Sequence, residues 1–239
     1  MPEQSVIATT TPTQTRWPRV VVQMLSAYFW FVGSLFLAAG RLDWVRGWIA
    51  VVLWIVGMST IGLLSHHYNA GLLKERAKWR RKDTKGFDKV FLSVFVPFSL
   101  SQPAVCALDA ARFHWSSMPF CSVYVGAIVF ALAMVLIGWV MITNPYAETS
   151  IRIQSDRGQT VITSGPYRMV RHPMHAGSIL MYLATPLLLG SVWALLMTAV
   201  ITFLFIWRTA NEDQTLRQEL QGYEEFTTHT QYRLFPWLW

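Results

Sequence analysis

The sequence predicts an all-α integral membrane protein of about six transmembrane helices. The last two form a tight helical hairpin, and a cytosolic amphipathic tail follows. Three observations lead there. Of 239 residues, 53% are hydrophobic and only 14% charged, where a soluble domain carries roughly a quarter charged. Apolar runs recur at the length of a bilayer span, about 20 residues for ~30 Å of hydrocarbon. The basic residues that give a net charge of +7 cluster between those runs, which points to topology and not to nucleic acid.

Taken in order, residues 1–19 read as a flexible N-terminus, polar and Thr-rich over the first 15. The apolar run that begins near Val20 starts too late and is too long for a cleavable signal peptide. Arg16 and Arg19 flank span one, Val20–Ala39, and a short loop then holds Arg41, Asp43 and Arg46. Span two is Gly47–Ser65. The most basic segment follows, His66–Asp88, with Lys74, Arg76, Lys78, Arg80, Arg81, Lys82 and Lys85, and it reads as a topology signal in contact with anionic lipid. Span three, Val90–Leu108, is expected to bend or break near Pro97 and Pro103. A loop with Asp109, Arg112 and His114 leads to span four, Phe120–Thr143.

Residues 144–171 are polar. The last apolar block, Pro173–Trp207, is too long for one span and slightly short for two. Thr185-Pro186 and Gly190-Ser191 divide it, so it reads as a hairpin with short or partly inserted arms. In the tail, Leu216, Leu220, Tyr223 and Phe226 recur near helical spacing. The closing aromatics, Tyr232, Phe235, Trp237 and Trp239, are of the type found at bilayer interfaces, as are Trp139, Trp193 and Trp207. With six spans, the Arg pair at the start, the basic segment at 66–88 and the polar segment at 144–171 share one side, and the positive-inside rule places them and both termini in the cytosol. The two cysteines, Cys106 and Cys121, give no disulfide framework, and no metal-ligand spacing is visible. His66-His67 lacks nearby partners for a metal.

The chemistry concentrates in the second half. Ser164–Gly177 carries Arg168, Arg171, His172 and His175 between apolar runs. Pro173 biases His172 toward extended backbone and starts a helix, whose first-turn N–H groups suit an anion. A hairpin returns its two ends to one side, so Gln154, Gln159, Tyr167, Arg171, His172 and His175 before it can converge with Arg208, Glu212 and Asp213 after it. Arg208 and Glu212 are spaced i,i+4, where an interfacial ion pair is the ordinary reading. An acidic pair at a helix's C-terminal exit is opposed by the helix dipole, which favours a functional role.

Thr163–Tyr167, Arg171-His172-Pro173, Gly177, Arg208, Glu212-Asp213, Leu216 and Gly222-Tyr223 stand in an order and spacing that resemble the isoprenylcysteine carboxyl methyltransferase family, related to the phospholipid N-methyltransferases. The resemblance covers residues 144–239 and not the first three spans. It implies an S-adenosyl-L-methionine-dependent methyltransferase at the cytosolic membrane face. The acceptor it implies is a lipophilic small molecule or lipid-linked group, with membrane lipids and no nucleic acid as surroundings. By match of position, Gln154 (across a short gap), the run Gln159, Thr160, Val161 and Ile162, and Tyr167, His172, Pro173, Met174, His175 and Glu212 hold the cofactor. Arg208 matches the catalytic position that contacts the acceptor. Two departures are visible: His175 stands where the family usually has Tyr, and Asp213 where a second Glu is common. Residues 20–239 then form one domain, with four spans at 20–143 and the cofactor-binding catalytic part at 144–239.

The chemistry of such a reaction fits Arg208. An acceptor carboxylate is ionised near neutral pH and needs no general base. It needs positioning, and a guanidinium offers a planar fork for two oxygens. Three other functions stay open at this point. A phospholipid-type amine N-methyltransferase would want an acidic or aromatic contact. An NADPH-dependent membrane reductase of an isoprenoid or sterol-like double bond would want more basic groups. A scaffold or transporter component would bind no cofactor, and no intramembrane charge relay suggests transport.

Overall fold

The computed structural model describes residues 17–78 and 83–239, and all secondary structure among them is helical. Seven α-helices follow in order: α1 Trp17–Ala39, α2 Val45–Arg76, α3 Gly86–Ala107, α4 Ser122–Thr143, α5 Pro173–Leu189, α6 Trp193–Glu219 and α7 Tyr223–His229. Five of them, α1 to α4 and α6, are long and apolar enough to cross a membrane. The sixth arm, α5, has 17 residues, roughly 25 Å at ~1.5 Å per residue, a short span as its sequence predicts. Only 22–39% of each long apolar window is buried within the protein. Outward residues such as Phe29, Leu37, Leu63, Val135 and Phe203 are apolar and exposed, as lipid-facing surfaces require.

Several boundaries differ from expectation. Trp17, Pro18 and Arg19 belong to α1, since proline is tolerated in a first helical turn. Residues 1–16 and Arg80, Arg81 and Lys82 lie outside the described residues. Span two does not stop at Ser65. It continues to Arg76 across a non-helical residue, Asn69 (φ −150°, ψ 53°). Asn69 Nδ2 donates to Met141 O at 3.0 Å and Asn144 O at 3.3 Å, satisfying carbonyls at the end of α4. Helix α3 runs through Pro97 and Pro103 without breaking, and a π-helical turn, Leu108–Phe113, extends it. Asp109 in that turn is buried and not a loop residue. It accepts from Ser116 N and Oγ and from Ser191 Oγ, at 2.6–2.7 Å, so it ties the turn to the tip of the last hairpin.

Helix α4 lies closest to α5. A Cβ on Gly126 would meet Leu188 N at 2.7 Å, and one on Gly177 would meet Ile137 Cγ1 at 2.7 Å. Glycine at both points lets the two helices approach nearer than side chains allow. Gly126→Ala is therefore expected to cost about 1–3 kcal/mol, because backbone and not a side-chain tip stands in the way. Thermal unfolding in detergent measures it, and an unchanged midpoint would contradict this packing.

Two apolar clusters result. One joins α1, α2, α4 and α5 through residues such as Leu35, Ala50, Phe130 and Leu189. The other joins α3, α5, α6 and the C-terminal segment through Phe91, Ile179, Ile201, Phe205 and Leu234. Between three helices, Gln102 Nε2 donates to Thr198 Oγ1 at 2.9 Å and to Tyr182 O at 3.2 Å, so α3, α5 and α6 share a buried polar tie. Helix α5 ends at Gly190 in a left-handed conformation (φ 84°), and α6 starts three residues later. The dividing point is thus Gly190-Ser191, while Pro186 stays inside α5.

The expected amphipathic tail is not one helix. Helix α6 runs on to Glu219, Gly222 turns the chain with φ 82°, and α7 begins at Tyr223. The final residues fold back along the Arg171-His172 segment. Arg171 N donates to Tyr232 O and His172 N to Arg233 O, each at 2.9 Å. Phe235 and Trp239 pack against the second cluster, while Trp237, 88% exposed, keeps the free position of an interface anchor, as does Trp193, 53% exposed.

Candidate active site

Local sequence sets the entrance to α5. Pro166 and Pro173 hold a 3-10 turn, Gly165–Arg168, and the helix start at residue 173. His172 precedes that start with a backbone that is neither helical nor fully extended (φ −124°, ψ 60°), so Pro173 keeps it out of the helix without making it the extended residue expected from sequence. Both imidazoles therefore sit one turn apart at the mouth of α5, their rings 5.6 Å apart and nearly parallel at 10°. Helix α6 brings Glu212 to the same place after roughly 28 Å from Trp193 at ~1.5 Å per residue, close to the length of α5. Glu212 Oε2 lies 3.4 Å from His172 Nδ1 and 3.5 Å from His175 Nε2. The hairpin thus joins the ends that its sequence predicts.

The ring atoms turned away from Glu212 are held too. Thr209 Oγ1 donates to Phe205 O at 2.7 Å, so it accepts from His175 Nδ1–H at 2.9 Å. That network assigns the proton to Nδ1 and leaves Nε2 as a lone pair facing Glu212. His172 Nε2 lies 3.3 Å from Asp213 Oδ1 and 3.3 Å from Tyr223 Oη. Tyr223 O–H donates to Asp213 Oδ1 at 3.0 Å, so His172 Nε2–H is the donor between them. Burial acts most strongly on the His172 imidazole, disfavouring charge. Hydrogen bonds to Asp213 and Glu212 and the charges of both carboxylates outweigh it and raise the pKa.

Asp213 is the hub below this pair, with its side chain 1% exposed. Arg171 Nε donates to it at 2.8 Å, Arg233 Nε at 3.1 Å and Arg217 Nε at 3.3 Å. Arg171 Nη1 also donates to Thr230 O and Gln231 O, so one buried guanidinium pins the C-terminal segment over the site. Burial first, and then the charge of Asp213, push the Tyr223 phenol up.

Arg208 is not paired with Glu212. Its Nε donates to Asp88 Oδ1 at 2.8 Å and its Nη2 to Thr149 O at 2.9 Å, and its guanidinium lies 4.5 Å from the centre of the Phe91 ring. Asp88 is fully buried at the start of α3 and also accepts from Ile151 N at 2.7 Å. Neither Asp213 nor Asp88 is marked as an organiser in the sequence. Asp88 reads there as one charge in a basic segment, and its partner lies 120 residues away.

The remaining candidates divide. Tyr167 accepts from Asn144 Nδ2. Burial raises its pKa, the Asn144 hydrogen bond opposes this, and the charge of Glu212 adds to the rise. Pro173 is buried, and Met174 packs on the first core cluster. Gln154 is buried with its side chain already used: Nε2 donates to Tyr146 O at 2.7 Å and Oε1 accepts from Arg157 Nη1 at 2.6 Å. Gln159 Oε1 accepts from Gln154 N at 2.7 Å. Thr160 is exposed and Ile162 half-buried. Val161 lines an open groove of about 430 Å³ with Gly222, Glu225, Phe226 and His229, a groove whose walls do not include the two histidines or Glu212.

The chemistry of the paired imidazoles and Glu212 is that of a polar acceptor face beside an apolar bundle. Residues 121–221 match a model of the phospholipid methyltransferase family, a stretch that begins beside α4 and ends just after α6, so it contains the whole hairpin and its convergent residues. No curated protein matches the chain. Over residues 121–221, less than half of the chain, the protein is similar to phospholipid methyltransferases.

Proposed function

We propose that the chain is an S-adenosyl-L-methionine-dependent methyltransferase acting at the cytosolic membrane face on a lipophilic acceptor. The observation that carries this reading is the convergence of His172, His175 and Glu212, at 3.4 and 3.5 Å, from opposite arms of the last hairpin. The donor set fits the cofactor by its chemistry. Glu212, half-buried, is an acceptor for amino or hydroxyl hydrogens, and the imidazoles add polar edges in an apolar setting. Tyr167, Pro173, Met174 and the run Gln159 to Ile162 complete the set carried over from the family. Gln154 serves by fixing the loop, since its side-chain atoms are engaged within it. The cofactor supplies an electrophilic methyl group on a sulfonium. The protein's task is to orient the acceptor atom and keep water away.

The acceptor is a carboxylate in the first reading, with Arg208 as its contact and Asp88 as the group that fixes the guanidinium. One observation favours a second reading, a phospholipid-type amine: Arg208 is already neutralised by Asp88, which leaves Glu212 as the charged group of the face. Isothermal titration of the detergent-purified protein with S-adenosylmethionine, S-adenosylhomocysteine and NADPH tests the cofactor. Binding of the first two is expected, weakened about 10–100-fold by Glu212→Ala, as loss of a charged hydrogen-bond partner implies. NADPH binding without any response to the sulfonium cofactor would replace the proposal with the reductase reading. Methyl transfer assayed on prenylcysteine and on phosphatidylethanolamine then separates the two acceptor classes.

A further inference from the structure

We propose that His172 Nδ1, His175 Nε2 and Glu212 Oε2 form a binding site for one divalent transition-metal ion of the zinc type. The three atoms come from the mouth of α5 and from α6, and all lie within 4.8 Å of one another. Two of the three separations, 3.4 and 3.5 Å, are longer than the ~2.7–3.2 Å of good N–H···O hydrogen bonds, so the His172–Glu212 hydrogen bond is at best a weak one that an ion can replace. They match the ligand–ligand edge of a tetrahedral ion, ~3.3–3.6 Å for metal–ligand bonds of ~2.0–2.2 Å. An ammonium group about 2.9 Å from each of three acceptors would instead spread them to roughly 4.7 Å. The third pair, the two imidazole nitrogens, closes to the tetrahedral edge by an approach of at most about 1.4 Å.

The far sides of the rings support the same assignment. His175 Nδ1–H is held by Thr209, which is itself fixed by Phe205 O, so Nε2 points inward without a proton. His172 Nε2–H is held by Asp213, a carboxylate–histidine pair of the kind that sets the tautomer of metal-bound imidazoles. Asp213 is in turn fixed by Arg171, Arg217, Arg233 and Tyr223. The positive neighbours do not oppose an added cation with full charge, because Arg171 is paired with Asp213 and Arg208 with Asp88. Two imidazoles and one carboxylate suit Zn²⁺ or Co²⁺ and not Mg²⁺ or Ca²⁺. The Glu212 side chain is 21% exposed, which leaves a route for the ion and an open coordination position. The same side chains stand in the cofactor face proposed above, so ion and cofactor are alternative occupants. The metal site rests on geometry and not on the methyltransferase reading.

The test uses the full-length, tag-free protein in detergent, stripped with a chelator and titrated with Co²⁺ without nucleotide. One Co²⁺ per chain is expected, with the intense visible bands of a four-coordinate ion, and Zn²⁺ should displace it. His175→Phe and Glu212→Gln should abolish the bands, whereas His229→Ala, an exposed histidine away from the cluster, should keep them. Thr209→Val, which removes only the outer hydrogen bond, should weaken the site about 10–100-fold. A wild-type spectrum that stays that of aqueous Co²⁺, or bands that survive His175→Phe, would overturn the proposal. Failure of the methyltransferase reading appears elsewhere, as absent S-adenosylhomocysteine binding to the stripped protein, and leaves the cobalt spectrum unaffected.

Discussion

Asp213→Ala is expected to release the C-terminal segment and cost about 3–5 kcal/mol, because it leaves a buried guanidinium without its anion. Arg171 is 4% exposed in its side chain and has no other carboxylate within ion-pair reach among the described residues. The same change removes the acceptor for Arg217, Arg233, Tyr223 and His172. The loss should therefore appear in two ways: a lower thermal midpoint in detergent, and faster proteolysis after Gly222, where α6 gives way to the folded-back tail. Asp213→Asn keeps an oxygen acceptor without the charge and should fall between the two. A tail as resistant to protease in Asp213→Ala as in the parent would mean that the apolar contacts of Leu234 and Trp239 hold it unaided.

The second large effect is at Asp88. Asp88→Leu leaves Arg208 buried and unpaired and the Ile151 N–H without an acceptor, a loss of about 3–5 kcal/mol for the ion alone. Arg208→Met strands the carboxylate instead, with a similar penalty. The double variant, Asp88→Leu with Arg208→Met, buries no charge and should recover most of the stability, since well-packed apolar replacements of buried ion pairs are often neutral. Unfolding midpoints of the four proteins give the coupling. Additive losses would show that the pair is not the link between α3 and α6. Acceptor turnover in the double variant separates roles further: an Arg208 that only braces α3 would leave turnover as high as stability allows, whereas an Arg208 that contacts the acceptor would not.

The elements that were legible from sequence are those fixed by local composition. Helix α4 is uniformly apolar, its length matches a bilayer, and its observed end, Thr143, is where the apolar run ends. The last hairpin was legible because Gly190-Ser191 interrupts an apolar block of the wrong length for one span. Its geometry then brought His172 and Glu212 together, since two antiparallel helices of similar rise must return to the same level. The extension of α2 past Ser65 was not legible, because a charged helix beyond a span carries no apolar signal. Nor was the unbroken α3, because two prolines mark missing donors but not whether the helix around them yields.

By itself, then, the sequence determined where the apolar runs lie but not how far their helices extend, along with the hairpin and the identity of the polar residues at its open end. Only the tertiary structure decided which charges meet. Arg208 turned to Asp88 across 120 residues and not to Glu212 four residues on, and Asp213 gathered three arginines from three segments. The reason is energetic: a charge buried beside apolar helices must find an opposite charge, and the one it finds is set by how the helices pack and not by spacing along the chain.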